Sequence, residues 1–367
     1  MRHGSLSRAA RGINLSQPAL TQAIRGLEAS LDVTLFERGA QGMTPTAPAL
    51  LLAERAEAAI AQIGSTRVTG TQVRAFLAVV RAGSYAAAAE NAGISPASLH
   101  RAVADLSVAL GQRLLDRRGR MLALTPAGAR RARGFGLAMA ELRAGLAEVA
   151  AWQGKAGGRI VIGAMPLSRA RWLPDAITRF AATHPQIDLA VHEGSYTELV
   201  GPLRDGEIDL VLGALRDGAQ SAELEQEAVF VDQPALIMRA GHPLVTATDD
   251  VGAAMLAYPW LLPGRETPLR GYWEDMIRAL GQAVPHVGIE CGSVMMIRQL
   301  LLASDALTLL SPDQVAVELD AGLLQMVPTP VPVTRTIGIV TRTGWRPTAA
   351  QTEFLGLLRE AGAAINS

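Results

Sequence analysis

The sequence predicts an α/β protein in two parts: an all-α front region present in two copies, then a two-lobed body of alternating strands and helices. Three observations carry this. Ser5–Thr46 recurs at Ser84–Thr125, 79 positions on and without a gap. Residues 1–156 hold 19 Lys+Arg against 10 Asp+Glu, whereas 157–367 hold 15 against 24, so a net charge of zero conceals a basic front and an acidic body. From residue 158 on, short Val/Ile/Leu runs alternate with helical stretches, the pattern of a parallel sheet covered on both faces.

The repeat has a helical stride. Ser5, Ala9, Ala10, Ser16, Leu20, Ala23, Leu27, Leu31, Leu35, Arg38 and Thr46 each meet an identical residue in the second copy, mostly at steps of three, four and seven. Each copy reads as helix, tight turn, helix and extended wing. In the second, Ser84 caps a short helix Ala86–Asn91, and Gly93 breaks it because glycine turns to positive φ cheaply. Ser95 is then an N-cap, with Pro96 in the first turn where its missing N–H costs nothing. Leu99, Val103, Leu106 and Leu110 are expected inside; Ser98, His100, Arg101 and Asp105 face out. In the first, Ser16 caps, Leu20, Ile24, Leu27 and Leu31 face in, and Gln17, Thr21, Gln22 and Arg25 face out beside Pro18. Donor-rich side chains near a helix N-terminus match base edges and phosphates in a major groove. The hairpin Arg117-Arg118-Gly119-Arg120 would touch phosphate or the minor groove. The expected DNA contacts are therefore Ser16, Gln17, Pro18, Thr21, Gln22, Arg25, Ser95, Pro96, Ser98, His100, Arg101, Arg117, Arg118 and Arg120.

SQPALTQAIRGLEASLDVTLFER, Ser16–Arg38, resembles the winged helix-turn-helix signature of LysR-type transcriptional regulators. LTPAG, Leu124–Gly128, also matches. The second copy keeps the frame but has Pro96-Ala97 for Gln-Pro and Leu115-Asp116 for Phe-Glu. The resemblance implies a regulator whose partner is double-stranded DNA. Two heads depart from the family's one head per chain, and leave open which head reads bases. The first copy also lacks a counterpart to Gln72–Arg81, an amphipathic helix whose Phe76, Val79 and Val80 would floor the winged domain. Either the true start lies upstream of Met1 or this head is short of core, so residues 1–64 are expected to be a truncated first head, less stable than the second at 70–128.

Residues 129–153 are expected to form a linker helix. Phe135, Met139, Leu142, Leu146 and Val149 recur at spacings of four and three, the seam of a coiled coil, so a homodimer through this helix is expected, with a tetramer also open. The resemblance places the family's dimerising linker helix here. Gly154–Gly158 is the hinge to the body. In the body Arg159–Met165, Ile187–Glu193, Ile208–Ala214, Trp260–Leu262, Val287–Glu290 and Leu307–Leu310 read as strands, with Val229–Arg239 and Leu324–Thr341 as two crossings between lobes. Residues 158–367 resemble the two-lobed, periplasmic-binding-protein-like effector domain of LysR-type regulators through words such as Gly206-Glu207-Ile208-Asp209-Leu210 and His242-Pro243-Leu244. Lobe I is expected at about 158–230 and 335–367, and lobe II at about 235–330. GAMPLSRARWLP and TRTGWRPT are similar to the galactose-binding-protein regulator branch.

In such sheets ligands bind beyond the carboxyl ends of the strands, between lobes. The loops expected there carry Pro166, Ser168 and Arg169; Gly194, Ser195 and Tyr196; Gly264, Arg265 and Thr267; and Ser293. Ser168, Ser195, Thr267 and Ser293 would stand at helix N-termini, which favour an anion, so an anionic or sugar-like effector is expected with Arg169 or Arg265 as counter-charge. Each hydroxyl taken alone is equally an ordinary N-cap. A single cysteine, Cys291, excludes an internal disulfide and a Cys-cluster metal site; it is expected to be a small buried apolar residue. Catalysis, a cofactor and a metal are not expected, since no Ser/His/Asp arrangement, ligand-spaced His pair or phosphate-cradling Gly loop is found. No apolar run suits a bilayer and no signal-peptide stretch stands at the N-terminus, so a cytoplasmic protein without membrane contact is expected. A small-molecule-binding protein with degenerate, non-DNA-binding heads remains the alternative to a regulator.

Overall fold

The computed structural model describes residues 6–13, 15–39, 42–118, 121–155, 157–216, 222–246 and 251–365. The first head holds α1 (Leu6–Gly12), α2 (Gln17–Leu31), a hairpin of β1 (Phe36–Gly39) and β2 (Gly42–Pro45), and the long α3 (Ala47–Ile63). The second holds α4 (Gly70–Ala82), α5 (Tyr85–Ala92), α6 (Pro96–Leu110), a hairpin of β3 (Leu115–Arg118) and β4 (Met121–Leu124), and the linker α7 (Pro126–Trp152). The repeat is repeated in its bonds. Ser16 accepts from the Ala19 N–H at 3.3 Å and Ser95 from the Ser98 N–H at 3.2 Å. The Thr46 hydroxyl donates to the Thr34 carbonyl at 2.7 Å, and the Thr125 hydroxyl to the Arg113 carbonyl at 2.7 Å. Each long helix is thus fastened to its wing by the same junction.

The cores of the two heads differ. In the second, Phe76 stands edge-on to Phe135, and Leu99, Val103 and Leu106 are buried with them. In the first, no residue of α2 is buried, and Leu27 is 45% exposed where its image Leu106 is 0%. Among the described residues, the expected inward stripe of Leu20, Ile24, Leu27 and Leu31 is therefore only partly covered.

α3 and α7 pack antiparallel. A Cβ on Gly145 would lie 3.0 Å from the Arg55 Cβ, and one on Gly134 would lie 2.8 Å from the Gln62 carbonyl oxygen. Arg55, 6% exposed, reaches Glu141 at 3.1 Å and also pairs with Glu148. This corrects the expected free seam. Phe135 and Val149 are buried within the chain and Met139 packs on the second head's core, while Leu142 and Leu146 stay 37% and 47% exposed.

The body has two five-stranded sheets. Lobe I begins with β5 (Arg159–Ala164), a tight turn at Pro166–Arg169, α8 (Trp172–Thr183), β6 (Asp188–Glu193), α9 (Tyr196–Arg204), β7 (Leu210–Ala214) and β8 (Leu224–Asp232). Lobe II follows as β9 (Ala235–Arg239), α10 (Val251–Ala254), β10 (Trp260–Leu262), α11 (Pro268–Ala279), β11 (Ile289–Glu290), α12 (Val294–Leu302), β12 (Leu307–Leu310), a turn at Pro312–Val315, α13 (Ala316–Asp320) and β13 (Leu324–Val327). β14 (Arg335–Arg342) and α14 (Ala349–Ala363) return to lobe I. The strand orders are β6-β5-β7-β14-β8 and β11-β10-β12-β9-β13. β5 is parallel to β6 and β7, and β10 to β11 and β12; the crossing strands β8, β9, β13 and β14 pair antiparallel. Each crossing expected as one segment is two strands, one in each lobe. Trp172, Phe180 and Phe354 anchor the lobe I core, and Trp260 and Trp273 that of lobe II. Among the described residues no helix is long and apolar enough to cross a membrane.

Hydrogen exchange should be faster in Leu20–Leu31 than in Leu99–Leu110, because α2 lacks the buried apolar contacts that resist local opening. Equal protection of the two segments would refute the account of the open first head.

Candidate nucleic-acid interface and effector crevice

The second head separates its two helix faces cleanly. α6 buries Leu99, Val103 and Leu106 and leaves Ser95, Pro96, Ser98, His100 and Arg101 exposed. Ser95 spends its oxygen on the helix cap and shares a 2.8 Å hydrogen bond with Ser98. The His100 ring lies 4.8 Å from that of Tyr85, which braces it from α5. In the first head Ser16, Gln17, Pro18, Gln22 and Arg25 are exposed and Thr21 is half-buried, its hydroxyl donating to the Gln17 carbonyl at 2.9 Å. Gln17, Pro18, Thr21, Gln22, Arg25 and Gly26 line one open hollow of about 890 Å³. Arg117 and Arg118 lie in β3, at the tip of the wing; Arg120 lies outside the described residues.

The body grips the heads through lobe I. A Cβ on Gly136 of α7 would lie 2.2 Å from the Asp205 carbonyl oxygen, so only glycine lets α7 approach the end of α9. Arg143 donates to the Gly206 carbonyl at 2.9 Å, Arg133 pairs with Glu223 at 2.6 Å, and Arg81 of the second head pairs with Glu207 at 2.6 Å. Arg346 reaches back to Glu141 at 3.0 Å. Gly206-Glu207-Ile208-Asp209, singled out above as a resemblance word, is thus the docking turn for α7 and α4. Burial pushes the Asp209 carboxyl up, against its bond from the Val161 N–H at 2.8 Å and the nearby Arg342 and Arg143.

The carboxyl ends of the parallel strands in the two lobes face one another. The turn after β5 meets the turn after β12, with Arg171 3.7 Å from Asp313. Burial raises the Asp313 carboxyl, opposed by Arg171 and reinforced by Asp232. Behind them, where β8 leaves and β14 enters lobe I, Asp232 and Arg335 pair at 2.6 Å with side chains 6% and 9% exposed. Sequence reasoning missed this pair, since its partners lie far apart in the chain and only the sheet order joins them.

Several expected effector contacts are occupied within the chain. Ser168 is wholly buried and its hydroxyl donates to the Met165 carbonyl at 2.8 Å, which corrects its expected exposure to a ligand. Arg169 pairs with Glu193, so it is not a free counter-charge. Ser195 takes the Glu198 carboxylate on its backbone N–H and hydroxyl at 2.8 and 2.7 Å; these bonds hold that carboxyl below the usual range. Thr267 donates to the Gly264 carbonyl at 2.8 Å, and the Glu266 carboxylate folds over Gly264. The Tyr196 ring carries Arg216 at 4.5 Å. Pro166 and Arg265 are exposed, Gly194 is half-buried, and Ser293 caps α12 by accepting from the Met296 N–H at 3.4 Å. Cys291 is half-buried rather than buried, with its sulfur 3.7 Å from the Ser293 carbonyl oxygen. Sequence reasoning also missed Arg270, in the first turn of α11. It is 2% exposed, bonds Glu274 at 3.2 Å, lies 3.6 Å from Glu290, and stacks on Trp273 at 5.1 Å. Among the described residues no His/Cys/Asp/Glu group could hold a metal ion.

Residues 153–363 match the family model described as the LysR substrate binding domain. Residues 1–50 and again 71–129 match the model described as the bacterial regulatory helix-turn-helix protein, lysR family. The HTH-type transcriptional regulator GalR of Pseudomonas putida is 32% identical over 97% of this chain and 93% of its own. PcaQ of Agrobacterium fabrum, another HTH-type transcriptional regulator, is 28% identical over 80% of this chain and 95% of its own. Among solved structures, ArgP from Mycobacterium tuberculosis is similar with a TM-score of 0.62 at 19% identity, covering 81% of this chain and 98% of that one. A full-length OxyR variant from Pseudomonas aeruginosa is similar with a TM-score of 0.59 at 20% identity, covering 80% and 94%. At these identities the structural likeness speaks for the fold.

Asp232→Ala should lower stability by about 3–5 kcal/mol in a denaturant titration, because it leaves the Arg335 charge buried without its partner. A loss below about 1 kcal/mol would show that the crossing is not held by this pair.

Proposed function

The chain belongs to the LysR family of DNA-binding transcriptional regulators with a small-molecule effector domain, and from that premise we propose how its parts share the work. The α6 helix lies in a major groove, with Ser98, His100 and Arg101 on base edges or phosphates and Ser95 and Pro96 setting its first turn. Ser16, Gln17, Pro18, Thr21, Gln22 and Arg25 do the same from α2. Arg117, Arg118 and Arg120 hold phosphate from the second wing. The observation that carries this is the division of α6 into a buried apolar face and an exposed donor face.

The effector sits between the lobes, at the loops of Pro166, Gly194, Ser195, Tyr196, Gly264, Arg265, Thr267 and Ser293. An anionic or sugar-like molecule suits this rim, with exposed Arg265 rather than paired Arg169 as its counter-charge. A ligand that binds one degree of lobe closure better shifts the population toward it. Lobe I is bonded to α7 and α4, so a change in lobe closure reaches the heads through that docking turn. Family membership implies oligomerisation, and a homodimer through what remains exposed of α7, Leu142 and Leu146, is the form proposed here, with a tetramer if the bodies also pair. The reading assigns the chain to the cytoplasm, where its DNA is, and gives it no catalytic role.

In a gel shift against the gene's own upstream region, log affinity should fall linearly with log salt, by about 0.9 per phosphate neutralised. Arg101→Ala and Arg118→Ala should each weaken binding, Arg118→Ala with a slope shallower by about 1, while leaving effector-induced thermal stabilisation unchanged. Binding without sequence preference or salt slope would sink the proposal.

A further inference from the structure

The contacts between α3 and α7 carry an internal symmetry. The two heads are related in sequence by a shift of 79 positions. Gln62 of α3 lies against Gly134 of α7. Adding 79 to the first and subtracting it from the second gives Glu141 and Arg55, and these two are bonded at 3.1 Å. The pair therefore maps onto itself when the copies are exchanged, which is what a two-fold axis between antiparallel helices requires. Ala59 and its image Ala138 are both 1% exposed, the small residues that a close crossing of equivalent helices needs.

Each helix is also fixed to its own head in the same way. The Thr46 and Thr125 hydroxyls bond equivalent wing carbonyls at the same 2.7 Å, and their N–H groups bond the Leu35 and Leu114 carbonyls, each at 3.0 Å. Equivalent heads on two-fold-related helices are themselves two-fold related, and so are α2 and α6. The symmetry is broken where α7 outruns α3. Its end reaches the first head, where Gln153 donates to the Asp32 carbonyl at 2.8 Å and Lys155 pairs with the Asp32 carboxylate at 2.8 Å. Those bonds tie down the head whose own core is open.

We infer that a single chain reads both halves of an inverted repeat: α2 takes one half-site and α6 the other, and the helix pair that sets their spacing is made within the chain. This rests on the reading that the heads bind DNA. Two-fold symmetric heads meet inverted half-sites in the same manner on each, and a head tethered beside its partner binds the second half-site intramolecularly.

The test uses the full chain and the inverted repeat footprinted in its own upstream region. With the repeat in excess, native mass spectrometry should find as many repeats as chains in each complex, so that a homodimer carries two. Scrambling either half-site should lower affinity by about 100-fold. With Arg25→Ala, scrambling one particular half should cost little more, and with Arg101→Ala the same should hold for the other half. In a Cys291→Ser background, Asp32→Cys and Lys155→Cys joined by a short bismaleimide should link within one chain in dilute protein. Two chains per repeat, indifference to Arg25→Ala, or links only between chains would overturn the inference while leaving the chain a DNA-binding regulator. A chain that binds no duplex overturns the regulator reading and this inference with it.

Discussion

The close approach of α3 and α7 is the constraint on which the rest of the molecule depends. Two helix backbones come near only where side chains are small, and Gly134 and Gly145 supply that on α7. Around them Arg55 is withdrawn from water between Glu141 and Glu148. A buried guanidinium is tolerable only with its carboxylates in place, so the ion pairs fix the register of the helices as well as their distance. Head position follows from register, because each helix is bonded directly to its wing.

α7 is used on more than one side. One face meets α3; another, through Gly136 and Arg143, meets the turn after α9; Phe135 closes the second head's core. Such a helix cannot rotate for one partner without disturbing the others. Lobe II, by contrast, is joined to lobe I through the two crossings and the facing turns. The molecule thus couples a stiff unit of heads, linker and lobe I to a second lobe held by few bonds, the arrangement that hinge motion needs.

Much of this was legible in the chain. The caps Ser16, Ser95 and Thr125, and the outward donors of α6, follow from local rules about orphan N–H groups and helical stride. The order of strands and helices, and the return of the last helix to lobe I, follow from alternation. The use of the seam was not legible. Heptad spacing marks an apolar stripe but does not say what covers it, and here the chain covers part of it itself. The glycines at 134, 136 and 145 were the missed signal, since three in twelve positions of a long helix mark close neighbours. In the crevice, hydroxyls at helix starts have the pattern of ligand donors, but Ser168 and Ser195 are satisfied by their own loops. Arg270 and the Asp232–Arg335 pair were invisible because burial and distant partners are tertiary facts.

Joining both heads in one polypeptide has a consequence beyond geometry. Regulators built from separate, similar subunits can exchange them, and a cell making several paralogues risks hybrids with mismatched reading frames on its promoters. Here the mate of each reading helix is settled at translation, in equal number and without a search. Changes in α2 and α6 can then accumulate independently, so the halves of a recognised site are free to diverge.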